Sequence, residues 1–450
     1  MIQNAIPPVI EESFNDINPG LIKLLMVAAI AGGLSGLVGG AFHWSLFHGQ
    51  NHFLAFVTYL KTHQDLIPGL LFLMVITGCS VAFARWLIRF APYASGSGVQ
   101  HIEAVMREEI NPPKFAALPV KFIGGIFAVI PQLALGREGP TIQMAAIIGQ
   151  YCAKLFRLAV DDIRLMYTAV AGAGLSVAFN APLSGVLFVI EEVAHRVTMR
   201  RAMAAMISVA TAITVYRGVY GNELDFITVK LAEPQINHLV IYALLGFLMG
   251  WLGMQYNRTV MFGLNLFSNT APRLSPWIKA GLVAAPIAIL TYFNADWVGP
   301  GDYQVNMVLS GQFAASALIM LLAIRWILSS VSYSFGAPGG LFAPLLLVGA
   351  IIGYLFAQGI NLLTDQVFML DPAAFALVAM SAFFAGIVRA PITGILLIME
   401  MSGSTVLAVP LIVASVCANI VPTLFQSAPV YDALRERMLK NAPTSDLLKK

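Results

Sequence analysis

Charged residues are scarce in this chain, and their scarcity excludes most classes of soluble protein. Only 11% of the 450 residues are charged, whereas an ordinary soluble protein has about 25%. Hydrophobic residues make up 58% of the chain, and the mean hydropathy is +0.79. The net charge of +3 is too small to indicate binding to nucleic acid. The composition therefore predicts a polytopic integral membrane protein.

Cysteine and clustered metal ligands are also lacking. Cys79, Cys152 and Cys417 lie in apolar runs without metal-ligand spacing, so we interpret them as packed core residues. The seven histidines are scattered, which leaves zinc catalysis without a ligand cluster. Residues 299–302 read GPGD, the GxGD pattern of intramembrane aspartyl proteases. No earlier apolar segment supplies the second aspartate that such a hydrolase needs, so we expect no enzyme.

Apolar runs occur along the whole chain, and glycine or proline interrupts several of them. A helix needs about 20 apolar residues to cross the hydrocarbon core. Some of these runs are shorter, and others are long enough for two half-helices. Irregular backbone at membrane depth is tolerated only where it is buried in protein or lines a polar cavity, so the pattern favours a transport pathway. The segments are 21–47, 67–90, 117–134, 140–158, 165–190, 202–217, 239–255, 277–293, 305–332, 340–364, 372–399 and 406–427.

Basic residues predict the orientation of the chain in the membrane. One cluster follows the apolar segment that ends near residue 190, and the tail after Tyr431 is also rich in lysine and arginine. We place both on the cytoplasmic side. The cluster consists of His195, Arg196, Arg200 and Arg201.

Three regions are predicted from these patterns. Residues 1–20 form a polar N-terminal segment in which we expect no cleavable signal. Residues 21–428 form one transmembrane domain with halves at about 21–220 and 236–428, and residues 429–450 form a short tail. We expect no regulatory domain after the tail.

The stretch LGREGPTIQ at residues 135–143 places Arg137 and Glu138 inside an apolar run. Ionised groups at membrane depth are costly, so each one is a functional hypothesis. The flanking glycines and Pro140 suit the first turn of a helix. The alternative for Glu138 is a structural ion pair with Arg137 or another buried base, but adjacent residues on a helix do not face each other, which weakens the pairing with Arg137. We therefore expect a functional carboxylate where a helix begins inside the membrane.

An internal repeat relates this stretch to a second one. Ala181–Glu191, APLSGVLFVIE, reappears 209 residues later as Ala390–Glu400, APITGILLIME. Gly136–Gly149 aligns with Gly340–Gly353 at an offset of 204. Two matches in the same order make chance similarity improbable. Paired segments that glycine and proline interrupt indicate the binding site of a transporter, although counting segments leaves the relative direction of the halves open.

Helix electrostatics predicts what binds at the paired segments. Each helix start carries unsatisfied N–H groups and roughly half a positive charge. Two starts that meet at the midplane, at Gly136–Pro140 and Gly340–Pro344, would bind an anion through partial charges. An ion held in this way can leave as well as enter, as conduction requires. The loop Ser95–Gly98 is a third candidate, because Ser97 can donate its hydroxyl.

Four motifs together resemble the CLC chloride channels and chloride/proton antiporters. They are GSG at Gly96–Gly98, GREGP at Gly136–Pro140, GGLFAP at Gly339–Pro344 and the late Tyr431. The resemblance covers nearly the whole chain and is closest to compact prokaryotic members, which lack cytoplasmic nucleotide-binding domains. It implies an all-α polytopic fold of two inverted, internally repeated halves with broken and re-entrant helices. It also implies a homodimer with one pathway per subunit in the bacterial inner membrane.

The resemblance also implies an anion site. The hydroxyls of Ser97 and Tyr431 and the backbone amides of Leu341 and Phe342 would hold a central chloride. Alternatively, Ser97 is a local turn residue and Tyr431 is an interfacial tyrosine. The other implied anion-binding residues are Gly136, Arg137, Gly139 and Ala343.

Two acids match proton-transfer positions of the antiporters. Glu138 matches the gating glutamate, whose carboxylate can occupy an anion site and swings away when it is protonated. Glu192 matches the inner proton-transfer glutamate, although it could instead be an interfacial acid that pairs with Arg196 at i+4. Glu191 either assists Glu192 or pairs with nearby basic residues.

The pair of acids distinguishes two functions within the family. A passive voltage- or pH-gated chloride channel has no use for an inner proton donor, so Glu138 together with Glu192 favours chloride/proton exchange. Chloride and protons are the implied transported ions, and no cofactor is expected. Val99 and Gln100 replace the usual Ile-Pro after GSG, which loosens the expectation for loop geometry and anion selectivity. Retained Ser97 favours chloride over nitrate, and GREGP argues against the fluoride-selective branch.

Overall fold

The structure is a computed structural model of the chain. It describes residues 19–194, 198–222, 226, 231, 233–269, 274–443 and 446–448. The predicted polar segment up to residue 18 lies outside the described residues, as do His195 and Arg196 of the basic cluster.

Helices account for nearly all of the regular structure, as the apolar runs predict. Backbone pairing outside helices is limited, within the described ranges, to isolated bridges such as the one between Gly136 and Gly340. The α-helices are α1 (Pro19–His63), α2 (Leu66–Leu87), α3 (Val99–Met106), α4 (Ala117–Val129), α5 (Glu138–Leu155), α6 (Val160–Ala169), α7 (Ala171–Phe179), α8 (Pro182–Phe188), α9 (Met199–Tyr220), α10 (Leu239–Asn269), α11 (Pro276–Phe293), α12 (Asp302–Leu309), α13 (Ala315–Ser334), α14 (Phe342–Leu363), α15 (Pro372–Val388), α16 (Pro391–Ser402), α17 (Ala408–Leu424) and α18 (Val430–Lys440).

Helix length divides the molecule into spanning and broken segments. Six helices of the described part are long and apolar enough to cross a membrane, namely α1, α2, α9, α10, α13 and α14. Others are shorter apolar helices of 10 to 17 residues. A helix rises only 1.5 Å per residue, so the shorter ones cross only part of the hydrocarbon core.

Three long apolar segments of the sequence are each divided in the structure. The segment 165–190 contains the second half of α6, α7, α8 and the start of a π-turn, 372–399 contains α15 and most of α16, and 305–332 is shared by α12 and α13. The α7–α8 break lies at Asn180, with φ of +51°, and the α15–α16 break lies at Arg389, with φ of +74°. In each case an alanine and then a proline follow, and the proline begins the next helix.

Corresponding helices of the two halves pack through matching glycines. In the first half, α1 packs on α9, and in the second α10 packs on α17. A Cβ on Gly36 would collide with the backbone of Ala212, and one on Gly250 would collide with the backbone of Ala418. Small residues allow helices to approach this closely. In a membrane, lipid tails are as apolar as the helix surfaces, so close packing contributes to helix association in place of the hydrophobic effect.

The starts of α5 and α14 lie at the centre of the molecule. Every residue of α5 from Glu138 to Gln150 is buried, and so is every residue of α14 from Phe342 to Tyr354. Helices that are apolar all round belong in the interior of a large assembly of helices. This burial positions both glycine-rich helix starts away from lipid.

Candidate functional site

Three glycine-rich stretches meet in the centre of the protein. The Gly136 N–H donates to the Gly340 carbonyl at 2.9 Å, and the Gly340 N–H donates back to the Gly136 carbonyl at 2.8 Å. The Gly339 N–H donates to the Gly96 carbonyl at 3.1 Å. The structure thus brings together the starts of α5 and α14 and the GSG loop.

Glycine is required where these stretches touch. A Cβ on Gly139 would lie 2.6 Å from Ser97 Oγ and 2.9 Å from Ser97 Cα. A Cβ on Gly340 would collide with the Glu138 carboxylate and lie 2.9 Å from the Gly139 nitrogen. Real Cβ atoms do not approach other atoms this closely, so the compact meeting point depends on side-chain-free positions.

The Glu138 carboxylate occupies the start of α14. It is 1% exposed, and its Oε1 accepts hydrogen bonds from the Phe342 N–H at 2.6 Å and the Ala343 N–H at 3.3 Å. Oε2 is buried and has no hydrogen-bond partner among the described residues. Leu341 is the buried N-cap residue of α14. A carboxylate therefore stands where the free N–H groups of a helix favour an anion.

Ser97 and Tyr431 lie next to this helix start. Ser97 is fully buried, and its hydroxyl has no hydrogen-bond partner in the described part of the chain. Tyr431, in the first turn of α18, is 1% exposed and its side chain faces Ser97. A buried polar atom without a partner requires an explanation, and a hydroxyl donor directed at an anion provides one.

The Phe342 side chain packs among other aromatic rings, while its backbone N–H binds Glu138. Its centroid lies 5.0 Å from that of Phe384 and 5.7 Å from that of Tyr431, in edge-on arrangements. Phe179 and Phe188 complete the cluster. The ring anchors the start of α14, while the backbone N–H is directed at Glu138.

Arg137 points away from Glu138 and binds other groups. Its Nε donates to the Ala178 carbonyl at 2.8 Å, and Nη1 lies 2.8 Å from His43 Nε2. Nη1 also lies 3.6 Å from the Asp302 carboxylate. Asp302 of the GPGD sequence is therefore an ionic partner of Arg137 in this structure, and sequence reasoning missed that pairing.

Lys121 is a second residue that the sequence did not single out. It is fully buried, and its ammonium donates to the carbonyls of Gly96 at 2.6 Å and Ala94 at 3.1 Å. The lysine therefore fixes the backbone at the start of the GSG loop. A lysine inside the apolar segment 117–134 was the available signal.

Glu192 lies on a short π-turn, Val189–Ala194, that follows α8. It is 5% exposed, and its carboxyl group faces that of Glu103 on α3, which is 2% exposed. Sequence reasoning missed Glu103, although it lies only five residues after the GSG loop. The structure thus brings two buried acids together.

Glu191 has a different position from its neighbour. Its carboxylate accepts from the Ile392 N–H at 3.0 Å and from the Thr393 N–H and hydroxyl at 2.7 and 2.8 Å, at the start of α16. Glu400, its counterpart in the repeat, accepts from the Leu183 N–H and from the Ser184 N–H, both at 2.8 Å, at the start of α8. Each half of the repeat therefore caps a helix of the other half.

Arg435 of the C-terminal tail, and Tyr93, which contacts the tail, have pKa values shifted by their surroundings. Burial opposes the charge on Arg435, but hydrogen bonds to Glu109 and Asp432 raise its pKa above the usual value. Burial and a hydrogen bond to Asp446 raise the pKa of Tyr93. The tail is therefore held against residues on both sides of the GSG loop.

Comparison with known proteins identifies the family. Residues 79–423 match the family model for the voltage gated chloride channel. The H(+)/Cl(−) exchange transporter ClcA of Vibrio campbellii is 35% identical over 433 residues, which cover 94% of this chain and 91% of that protein. ClcA of Salmonella paratyphi B is 33% identical, with 93% and 89% covered.

Solved structures agree with this assignment. A slow cyanobacterial Cl−/H+ antiporter superposes with a TM-score of 0.88 at 31% identity, covering 94% of this chain and 99% of that one. A CLC-type fluoride/proton antiporter shares the fold, with a TM-score of 0.73 at 18% identity and with 91% and 97% covered. These similarities confirm the predicted all-α fold of two inverted halves. The chain belongs to the voltage gated chloride channel (CLC) family.

Proposed function

We propose that this protein exchanges chloride for protons across the membrane. The observation that carries the proposal is the Glu138 carboxylate, which accepts hydrogen bonds from the backbone N–H groups of Phe342 and Ala343. A titratable anion that is part of the protein occupies a place suited to a transported anion. Proton binding and chloride binding at this place are therefore linked.

The linkage follows from charge. An ionised Glu138 satisfies the N–H groups of α14 and excludes chloride from them. A protonated Glu138 has lost the charge that favours this position, so chloride can replace it. Ser97 and Tyr431 would bind the ion through their hydroxyls at the neighbouring central position. Proton uptake by Glu138 therefore favours chloride entry at this helix start.

The inner acid completes the exchange. Glu192 would deliver protons from the cytoplasmic side towards Glu138, and the buried Glu103 that faces it supports such a path. Glu191 is assigned instead to capping, because both of its carboxylate oxygens accept hydrogen bonds from α16. The names of the relatives, which are chloride/proton exchangers, support exchange over a passive channel.

The remaining assignments are proposals as well. The predicted domain limits, the bacterial inner membrane and the cytoplasmic C-terminus fit the family and the apolar helices. A homodimer with one pathway per subunit is proposed from the family resemblance. No cofactor and no enzymatic activity are proposed, because chloride and protons are the transported ions.

A liposome experiment tests the exchange. Purified protein is reconstituted with a chloride gradient and no pH gradient, and the external pH is followed. Chloride leaving down its gradient is expected to drive protons uphill, and a protonophore should abolish that movement. Protein-free liposomes are the control. Chloride flux without uphill proton movement would contradict exchange and would favour a passive channel.

A further inference from the structure

The C-terminal helix α18 carries two buried residues on one face. Tyr431 lies in its first turn, and Arg435 follows four residues later, so both project from the same side of the helix. Tyr431 is 1% exposed and Arg435 is 7% exposed. A change in the contacts of Arg435 would therefore also move the helix turn that carries Tyr431.

Arg435 is held by two carboxylates. Its Nη1 donates to both oxygens of Glu109 at 2.7 Å, and Nη2 donates to Asp432 at 3.0 Å. Arg107 binds the same Asp432 oxygen at 2.8 Å. The planar guanidinium suits several simultaneous hydrogen bonds to carboxylates. These contacts attach α18 to the residues that follow α3.

A third carboxylate lies just beyond hydrogen-bonding distance. Arg435 Nε is 3.9 Å from Glu103 Oε2. The Nε atom is buried and has no hydrogen-bond partner within the described ranges, whereas the buried Glu103 carboxyl lies within hydrogen-bonding reach of Glu192. Buried polar atoms are nearly always paired. This open contact is therefore a place where a small movement would form a strong, charge-assisted hydrogen bond.

Glu103 in turn faces Glu192, the proposed inner proton acid. Like charges in contact disfavour ionisation of both groups, so the net charge of the acid pair depends on whether it holds one proton or two. Two cations act on Glu103: Arg107, and Arg435, whose Nε lies 3.9 Å from Glu103 Oε2. The charge of the pair therefore decides how strongly Arg435 is drawn towards Glu103.

We propose that Arg435 is a positioning residue that links the protonation of the Glu103–Glu192 pair to the position of Tyr431. An ionised pair attracts the guanidinium and closes the contact to Glu103. A fully protonated pair leaves the guanidinium with Glu109 and Asp432. Because Tyr431 is one helical turn away on the same face, the two arrangements present its hydroxyl differently to chloride. The inference rests on the proposed exchange function.

The test compares variants of the full-length protein. Arg435→Gln removes the charge, Arg435→Lys keeps it without the planar fork, and Arg437→Gln is the matched control. Arg437 lies on the same helix but binds Asn265 and the Leu264 carbonyl, which are uncharged. Chloride affinity is measured by titration calorimetry at several pH values, and proton-to-chloride stoichiometry is measured in liposomes.

Arg435→Gln should weaken chloride binding by about 5-fold or more, the lower end of typical coupling between sites. It should also flatten the pH dependence of that affinity and lower the number of protons moved per chloride. Arg435→Lys should restore part of each effect, and Arg437→Gln should behave as wild type. A folded Arg435→Gln protein with unchanged affinity, pH dependence and stoichiometry would overturn the proposal.

Two further variants separate positioning from general stability. In Tyr431→Phe, adding Arg435→Gln should weaken chloride binding less than it does in wild type, because the arginine acts through the tyrosine. Purely additive effects would contradict the proposal. If Arg435→Gln does not fold, Glu103→Gln keeps the bonds from Arg435 to Glu109 and Asp432 and should flatten the same pH dependence. Unchanged pH dependence there would also contradict it.

The failure of this inference is distinguishable from the failure of exchange. If wild type does not move protons uphill, the proposed function is wrong whatever the variants do. If wild type moves protons and the Arg435 variants match it, only the link through Arg435 is wrong.

Discussion

Replacement of Glu138 by glutamine is the most informative perturbation of the site. The side chain keeps its size and an oxygen acceptor but loses its charge and its proton. Hydrogen bonds to charged groups are worth about 1.5–3 kcal/mol and neutral ones about 0.5–1.5 kcal/mol. Two bonds are affected, at 2.6 and 3.3 Å. The side chain should therefore lose about 2–3 kcal/mol of its hold on α14, or roughly 30- to 150-fold in occupancy.

Weaker binding of residue 138 to the start of α14 should favour chloride binding there. In Glu138→Gln, chloride flux should persist in liposomes, while a chloride gradient should no longer drive protons uphill. Chloride binding measured by calorimetry should strengthen, because the competing carboxylate is gone, and should no longer depend on the protonation of residue 138. Glu138→Asp is the matched control, since it keeps a titratable group. Uphill proton movement in Glu138→Gln at the wild-type ratio would refute the reasoning.

Five other substitutions follow from the same geometry. Glu192→Gln should abolish coupling in liposomes while chloride still binds in calorimetry, and surviving coupling would mean another inner proton path. Ser97→Ala and Tyr431→Phe should each weaken chloride binding about 5- to 10-fold, as loss of one hydrogen bond of about 1–1.5 kcal/mol implies; unchanged affinity would remove them from the site. Glu191→Gln and Glu400→Gln should both lower the melting temperature, because each loses about 1–3 kcal/mol of capping free energy, while coupling persists; loss of coupling in Glu191→Gln alone would contradict the capping assignment.

Helix starts and their pairing could be predicted from the sequence. The glycine and proline signals around Glu138 and Phe342 indicated where helices begin, and the repeat offset indicated that these starts correspond. Local backbone chemistry carries both signals, because helix N-termini need particular residues within a few positions. In the structure, Gly136 and Gly340, which correspond in the repeat, bind each other through reciprocal backbone hydrogen bonds.

Pairings between distant side chains could not be predicted in the same way. Asp302 binds Arg137, and Glu103 faces Glu192, across 165 and 89 residues of sequence respectively. No local pattern specifies which charged group another will meet after the chain has folded. The same reason explains Glu191: its neighbours in sequence suggested basic partners, but its hydrogen-bond donors lie at the start of α16.

The repeat separates structural acids from those proposed to transfer protons. Glu191 and Glu400 occupy equivalent positions at the offset of 209, and each caps a helix of the opposite half, so their roles are duplicated. Glu138 and Glu192 correspond to Phe342 and Met401 at the offsets of 204 and 209. A symmetric framework needs its capping acids twice, because each half presents an open helix start to the other. A single anion site at the centre needs its titratable arm only once, since two carboxylates there would compete for the same N–H groups and repel each other. The unpaired acids are therefore the ones that should alter coupling, and the paired ones should alter stability.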